Sequence, residues 1–298
     1  MTILRPWAAI AAAIVALAPA GFAMQNANVA GPWTRAIDPL RIFAHVYYVG
    51  TEDLASYLVT SAQGHVLIDS GVAPNAATIA AGIQKLGFKL TDVKYLLTTQ
   101  AHFDHVAAHA ELQKLTGAQV IASEGDAPLL ETGGKADYHF GADYNFAPVT
   151  VDRRVKQGDT ISIGGLAITA HITPGHTQGT TTWVMPVNSV TGETLNVVFV
   201  GSTSVYPGVK LVANSNYPHI ADDYATSLAR LKALKVDVFL TAHLAANDGL
   251  GKMARVRAGA MPNPFIDAAG YHAYLERSRA NFEAEFAKQK SGGRLLIW

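Results

Sequence analysis

Short apolar runs separated by glycine and polar turns fill the first third of the chain. "VYYVGT", "ASYLVTSA" and "GHVLIDSG" are rich in Val, Tyr, Ile and Leu and predict three strands. The segment before them, "NANVAGPWTRAIDPLRIFAH", has no period and reads as an irregular arm up to His45. After Pro74 the pattern changes. Ile79, Ile83 and Leu86 recur at helical spacing and Gly87 ends the run, so "NAATIAAGIQKLG" predicts a helix. "VKYLLTT" is continuously apolar at its centre, the pattern of a strand buried on both faces. "VAAHAELQKLTG" predicts a helix stopped by Gly117, and "AQVIAS" a further strand.

Residues 124–150 are polar, aromatic and glycine-rich, and read as a long loop with short helical pieces. "DTISIGGLAITAHITPGHTQGTTTWVM" reads as two strands and a loop, and "LNVVFVGSTS" as a strand ending in small residues. "DDYATSLARLKAL" places Tyr224, Leu228, Leu231 and Leu234 on one helical face. "VDVFLTAH" is a buried strand ending in a histidine, and "YHAYLERSRANFEAEFAKQ" is a last helix. Strands and helices alternate without a low-complexity linker or a short repeat. The pattern predicts an α/β chain of two mixed sheets with helices outside, as layers of one domain.

Composition narrows the chemistry. Of 298 residues, 49% are hydrophobic and 15% charged, far too apolar for a disordered chain. Basic and acidic residues number 23 each, so nothing favours nucleic acid or an anionic membrane as a general partner. Cysteine is absent, which excludes disulfides and thiolate metal sites. Residues 1–23, "MTILRPWAAIAAAIVALAPAGFA", carry Arg5, an apolar run from Trp7 to Leu17, and small residues after Pro19. They read as a cleaved signal peptide, cut between Ala20 and Ala23, and the run is shorter than the about 20 residues of a spanning helix. The expected location is the periplasm, with residues 24–298 as the exported domain and no membrane anchor.

Against that background "LLTTQAHFDH", residues 96–105, stands out. His102, Asp104 and His105 follow a buried strand, where a rigid scaffold fixes functional groups. His176 in "ITPGHTQGTT" and His243 in "VFLTAH" occupy comparable strand ends. Nitrogen and oxygen donors from three strand ends suit zinc. Of the other histidines, His45, His65, His139, His171 and His272 lack a partner pattern and read as structural. His109 reads as a capping or packing residue, and His219 as a surface or loop residue.

The segments "YYVGTEDLASYLVTSAQGHVLIDSG", "TTQAHFDH", "TPGHTQGTTTW", "VGSTSV", "NSNYPHIADDYATSLARLKAL" and "VFLTAH", in this order, resemble the metallo-β-lactamase superfamily over nearly all of the chain after the leader. "TPGHTQGTTTW" and "SNYPHIADDYATSL" are most similar to β-lactamases of the third subclass. Ser202 and Ser204 stand where the other two subclasses carry a cysteine ligand, in agreement with the absence of cysteine. The resemblance implies a four-layer αβ/βα sandwich holding two zinc ions per chain. The first zinc site matches Gln100, His102 and His176, and the second matches Asp104, His105 and His243. Ser202 matches a serine that contacts solvent at the second zinc. Ser204 matches a residue that hydrogen-bonds the substrate carboxylate. The implied reaction is attack of a zinc-bound hydroxide on the lactam carbonyl of a small-molecule β-lactam, with Asp104 orienting the nucleophile or taking a proton. It implies neither nucleic acid nor an obligate protein partner.

Gln100 departs from the family's histidine. A neutral amide oxygen is a poorer donor than imidazole, so the Gln100, His102 and His176 site is expected to be the weaker. Two other readings stay open: a hydrolase of the same fold acting on a lactone, ester or thioester, and a non-catalytic periplasmic metal- or ligand-binding protein.

Overall fold

The computed structural model describes residues 29–141, 143–189 and 192–292; the expected signal peptide 1–23 lies outside them. The first sheet runs in chain order through seven strands: β1 (Leu40–Phe43), β2 (Val46–Tyr48), β3 (Tyr57–Ser61), β4 (Gly64–Ile68), β5 (Val93–Leu97), β6 (Gln119–Ser123) and β7 (Arg153–Val155). β1 to β4 pair antiparallel, and β4 to β7 pair parallel. Helices α1 (Asn75–Lys85), α2 (Phe103–Val106), α3 (His109–Thr116) and α4 (Ala127–Thr132) interrupt it in sequence. The second sheet has the order β12-β11-β10-β9-β8, with β8 (Thr160–Ile163), β9 (Leu166–Ile172), β10 (Thr181–Asn188), β11 (Thr194–Val200) and β12 (Val238–Thr241). Only the β11–β12 pair is parallel, and α5 (Ile220–Lys232) crosses between those two strands. Helices α6 (Gly249–Arg257) and α7 (Ala268–Lys290) close the fold.

Burial arranges these elements as four layers. Val59, Ile68, Leu97 and Ile121 of the first sheet meet Ile168, Trp183, Phe199 and Leu240 of the second in a central core. Ile79 and Ile83 of α1 and Leu112 of α3 cover the outer face of the first sheet. Leu231 of α5 and Tyr271 and Leu275 of α7 cover Val198 and Phe239 of the second. Strands of alternating side-chain direction thus feed both an inner and an outer core. The expected sandwich of two mixed sheets with helices outside is observed.

Local departures have local causes. The arm before His45 contains β1, whose Ile42 is buried against the core. The expected helix over residues 106–117 begins earlier, at Phe103, and splits into α2 and α3. Of the β5 residues, Lys94 is exposed and Tyr95 half-buried, so burial on both faces holds only toward its C-terminal end. Three strands, not two, occupy residues 160–188, because Gly164 and Gly165 (φ 54° and 84°) make a two-residue hairpin turn between β8 and β9. The predicted loop at 124–150 contains α4, and β7 and α6 lack a sequence pattern strong enough to announce them.

The sheets are tied together at one edge. Trp183 Nε1 in β10 donates to the Thr98 carbonyl at the end of β5 (3.0 Å). Tyr57 Oη in β3 donates to the Thr241 carbonyl in β12 (2.7 Å). Thr181 N donates to the Thr99 carbonyl (2.7 Å). This edge carries all the strand ends that the histidines follow. Trp183 is fully buried, so Trp183→Phe removes the donor and strands the Thr98 carbonyl. The expected cost is about 1–3 kcal/mol of unfolding free energy, read as a lowered midpoint in urea titration with an unchanged slope.

Candidate metal centre

His102 is the last extended residue before α2, and Asp104 and His105 lie in the single turn that follows. A four-residue helix this short is held by tertiary contacts. The His105 carbonyl accepts from Ser70 N (2.7 Å) and Gly71 N (3.2 Å), which fixes the turn to the end of β4. His109 is buried behind it, with Nδ1 2.6 Å from Ser70 Oγ and Nε2 3.1 Å from Thr98 Oγ1. Burial pushes its imidazole down to about 3, so it serves as a neutral hydrogen-bond bridge.

Two ligand loops meet across a buried carboxylate. Asp126 accepts from Ala101 N (2.9 Å), Gly179 N (2.9 Å) and Thr177 Oγ1 (2.9 Å), joining the His102 loop to the His176 loop. Burial raises its pKa to about 6 against these bonds. Close approach of the backbones demands glycine there: a Cβ on Gly179 would lie 2.2 Å from Asp126 N.

Asp104, His105 and His243 form a tight cluster, with one donor atom from each within 4.8 Å of the others. Asp104 Oδ2 is 3.4 Å from both His105 Nε2 and His243 Nε2. Asp104 Oδ1 and both ring nitrogens of His105 are buried without a hydrogen-bond partner among the described residues. Buried polar atoms left unpaired are costly, and a cation between them removes the cost. Burial opposes ionisation of Asp104, but His105 and His243 hold its carboxyl well below the usual carboxylate range. His243 Nδ1 lies 2.9 Å from Asp53 Oδ2, which leaves Nε2 facing Asp104.

His102 and His176 make a second group. His176 Nδ1 lies 2.8 Å from the Ser204 carbonyl and so carries the proton, leaving Nε2 as the lone-pair atom. Burial and the neighbouring His102 push the His176 imidazole well below its usual range. His102 Nε2 lies 3.1 Å from Asp137 Oδ2, so Nδ1 faces His176 Nε2 at 3.2 Å. Two lone pairs facing at this distance repel unless a cation sits between them, so these two rings also fit a metal. Gln100 completes the group differently. Its Oε1 accepts from Ser202 N (2.9 Å), and its Nε2 is buried without a partner among the described residues. The expected donor atom is therefore already shared with a backbone N–H, and Nε2 has no lone pair to offer.

Ser202 Oγ and Ser204 Oγ are 2.9 Å apart, and Ser204 Oγ is 3.2 Å from His176 Nδ1. Every sequence-predicted site residue thus converges on one edge. Residues with no sequence signal join them. Asp53, Asp126 and Asp137 orient or pin the histidine segments. Asp69 follows β4 in "LIDSG" and accepts from Thr99 N (2.7 Å) and Thr99 Oγ1 (2.6 Å); its place after a buried strand was the one available cue. Phe103, Phe140, Tyr144 and Tyr206 form an aromatic rim, with Phe103 and Tyr144 stacked at 4.7 Å and Phe140 5.3 Å from the His102 ring. His139, expected to be purely structural, stacks on Tyr206 at this rim.

The Asp104 and His243 pair generates a pH prediction. Burial works against the charged imidazole, but Asp104 and Asp53 raise His243 to about 9 in the metal-free protein. A folded-state pKa raised from 6.5 to about 9 stabilises the metal-free fold fully below pH 6.5, and that stabilisation is lost as pH rises through 9. A metal requires the neutral ring, so its binding at pH 7 releases a proton and strengthens by about tenfold per pH unit up to that value. Calorimetry of zinc binding in buffers of different ionisation enthalpy checks this; a buffer-independent enthalpy at pH 7 contradicts it.

Residues 50–243 match the family described as Metallo-beta-lactamase superfamily. The chain is similar to a hydroxyacylglutathione hydrolase of Rhodopseudomonas palustris (strain BisB18), 31% identical over 168 residues, covering 56% of this chain and 53% of that protein. It therefore spans about half the length of that curated relative. Among solved structures, native FEZ-1 metallo-beta-lactamase from Legionella gormanii matches with TM-score 0.85 and 40% identity, over 87% of this chain and 99% of that chain. BJP-1, a subclass B3 metallo-beta-lactamase of Bradyrhizobium japonicum, matches with TM-score 0.81 and 38% identity, over 88% and 98%. Domain match, fold and converging His/Asp cluster agree: the chain belongs to the metallo-β-lactamase superfamily, as a hydrolase of that fold.

Proposed function

We propose that the protein is a zinc-dependent β-lactamase of the B3 kind that opens the lactam amide of β-lactam antibiotics. The likeness to B3 enzymes, 38–40% identical over 87–88% of this chain, carries this reading, since the hydroxyacylglutathione hydrolase matches are either about half-length, at 31% identity, or longer and only 27% identical. Asp104, His105 and His243 would hold one zinc. His102 and His176 would hold a second, with Gln100 as its third and weakest donor. When bound, zinc supplies Lewis acidity to the scissile carbonyl and to an attacking water.

The chain's own groups then have defined tasks. Asp104 turns Oδ2 toward the two histidines and leaves Oδ1 without a partner among the described residues. That free oxygen accepts a hydrogen bond from the attacking water and fixes its line of approach. A carboxyl held this low is a better orienting group than a proton store. As the new C–O bond forms and the C–N bond breaks, one proton of the attacking water passes through solvent to the departing nitrogen, and the other is released as the product carboxylic acid ionises. Ser202 and Ser204 offer hydroxyls to a substrate carboxylate. We also propose that residues 1–23 export residues 24–298 as one domain to the periplasm, where the activity confers antibiotic resistance. No helix among the described residues is long and apolar enough to cross a membrane.

Thioester hydrolysis is the second reading, and the hydroxyacylglutathione hydrolase matches favour it. Purified residues 24–298, loaded with zinc, should hydrolyse a carbapenem or a cephalosporin, lose that activity with a chelator, and prefer both to S-lactoylglutathione. Chelator-sensitive hydrolysis of the thioester alone establishes the second reading instead. During zinc titration, activity should appear by one equivalent, with a second equivalent binding more weakly. Two equally tight equivalents, or no turnover at one, overturns the assignment of Gln100 as the weak donor.

A further inference from the structure

Two cavities flank the segment that follows β12. A cavity of about 560 Å³ on its Asp53 side is lined by Trp33, Glu52, Asp53 and Asp248. A cavity of about 360 Å³ on the other side is lined by Ser202, Ser204, His243, Arg277 and Asn281, and no carboxylate lines it. Glu52, Asp53 and Asp248 of the first are paired with Arg35, His243 and Arg255, whereas Arg277 brings a cation to the wall of the second.

The second cavity is built from two elements fastened to each other. Thr203 Oγ1 donates to the Tyr274 hydroxyl at 2.8 Å and lies 2.6 Å from Ser278 Oγ. These contacts fix α7 against the strip that carries Ser202 and Ser204. Residues 274, 278 and 281 follow at i, i+4 and i+7, so they share the α7 face that carries the strip. Arg277, adjacent to Ser278, also lines the cavity. Its charge is available: Arg279, two residues on, is engaged by Glu276 and Glu283, whereas Arg277 makes no ion pair among the described residues.

We propose that Arg277, supported by Asn281, is the cationic end of a carboxylate-binding subsite that runs from the metal centre along α7 and sets which way an anionic substrate lies over His243. The proposal rests on the hydrolase reading but not on the identity of the bond cleaved, because a ring carboxylate and a glutathione carboxylate present the same chemistry. Guanidinium and carboxylate pair through parallel hydrogen bonds that an ammonium cannot copy, so charge and shape are both used. Ser202 and Ser204 form the near wall and Arg277 the far one.

The test uses zinc-loaded protein and ω-mercaptocarboxylates of two to six carbons, each compared with its carboxamide, with binding measured by calorimetry. The thiol anchors on the metal and the chain length places the carboxylate. Wild type should prefer one or more carboxylates over the matching amide by about threefold to fivefold, the range of a partly exposed ion pair, and lose the preference at high salt. R277M should abolish the preference with unchanged thermal unfolding, and R277K should retain part of it. No carboxylate preference in wild type at any length, or the same preference in R277M, overturns the proposal. This readout is separate from turnover: absence of β-lactam hydrolysis would remove the β-lactamase reading and leave the Arg277 result standing.

Discussion

A single buried carboxylate holds the two halves of this site together. Asp126 collects a backbone N–H from the loop after β5, and a backbone N–H and a hydroxyl from the loop after β9. Those loops belong to different sheets, so no ladder hydrogen bond sets their separation. The Trp183 and Thr181 bonds to the Thr98 and Thr99 carbonyls fix the strand ends, and this clamp carries that spacing out to the loops that hold His102 and His176. Metal sites tolerate errors of a few tenths of an ångström in donor position, which a carboxylate with three short bonds can enforce and an apolar contact cannot. The small residues around it follow from the same constraint, because Gly125 and Gly179 leave the two backbones room to meet.

Much of this was legible in the sequence, for reasons that can be located. β3, β4, β6 and β12 are apolar runs bounded by turns, and α1, α5 and α7 show helical spacing, so burial itself wrote the pattern. His102, Asp104, His105, His176 and His243 were legible because each follows a readable strand. The supporting acids were not. Asp53 meets His243 across 190 positions, and Asp126 meets Thr177 across 51. Neither lies in a periodic run, and an aspartate in a polar loop looks the same whether it is solvated or buried. The aromatic rim was hidden for a similar reason, since Phe103 and Tyr144 stack only after the 124–150 segment has folded back.

The two candidate sites differ in how completely the protein prepares them. Around Asp104 the fold leaves a carboxylate oxygen and two imidazole nitrogens buried and without a hydrogen-bond partner among the described residues. Around His102 it prepares two rings through the Ser204 carbonyl and Asp137, then spends the third donor on Ser202. The Gln100 bond to Ser202 has a use of its own, because it fixes the first residue of the strip that carries Ser202 and Ser204. An amide at this position thus serves to fix a turn.

The chain contains no cysteine, and every candidate donor is nitrogen or oxygen. A centre of this kind offers nothing to thiol-directed oxidants, because imidazole and carboxylate have no place on the sulfenic-to-sulfonic ladder. It also lacks the soft donor that draws copper(I) into thiolate sites. It stays sensitive to ion supply and to protons. In an oxidising environment poor in free zinc, such a protein would fall silent by starvation rather than by damage, and would recover as soon as the ion returned.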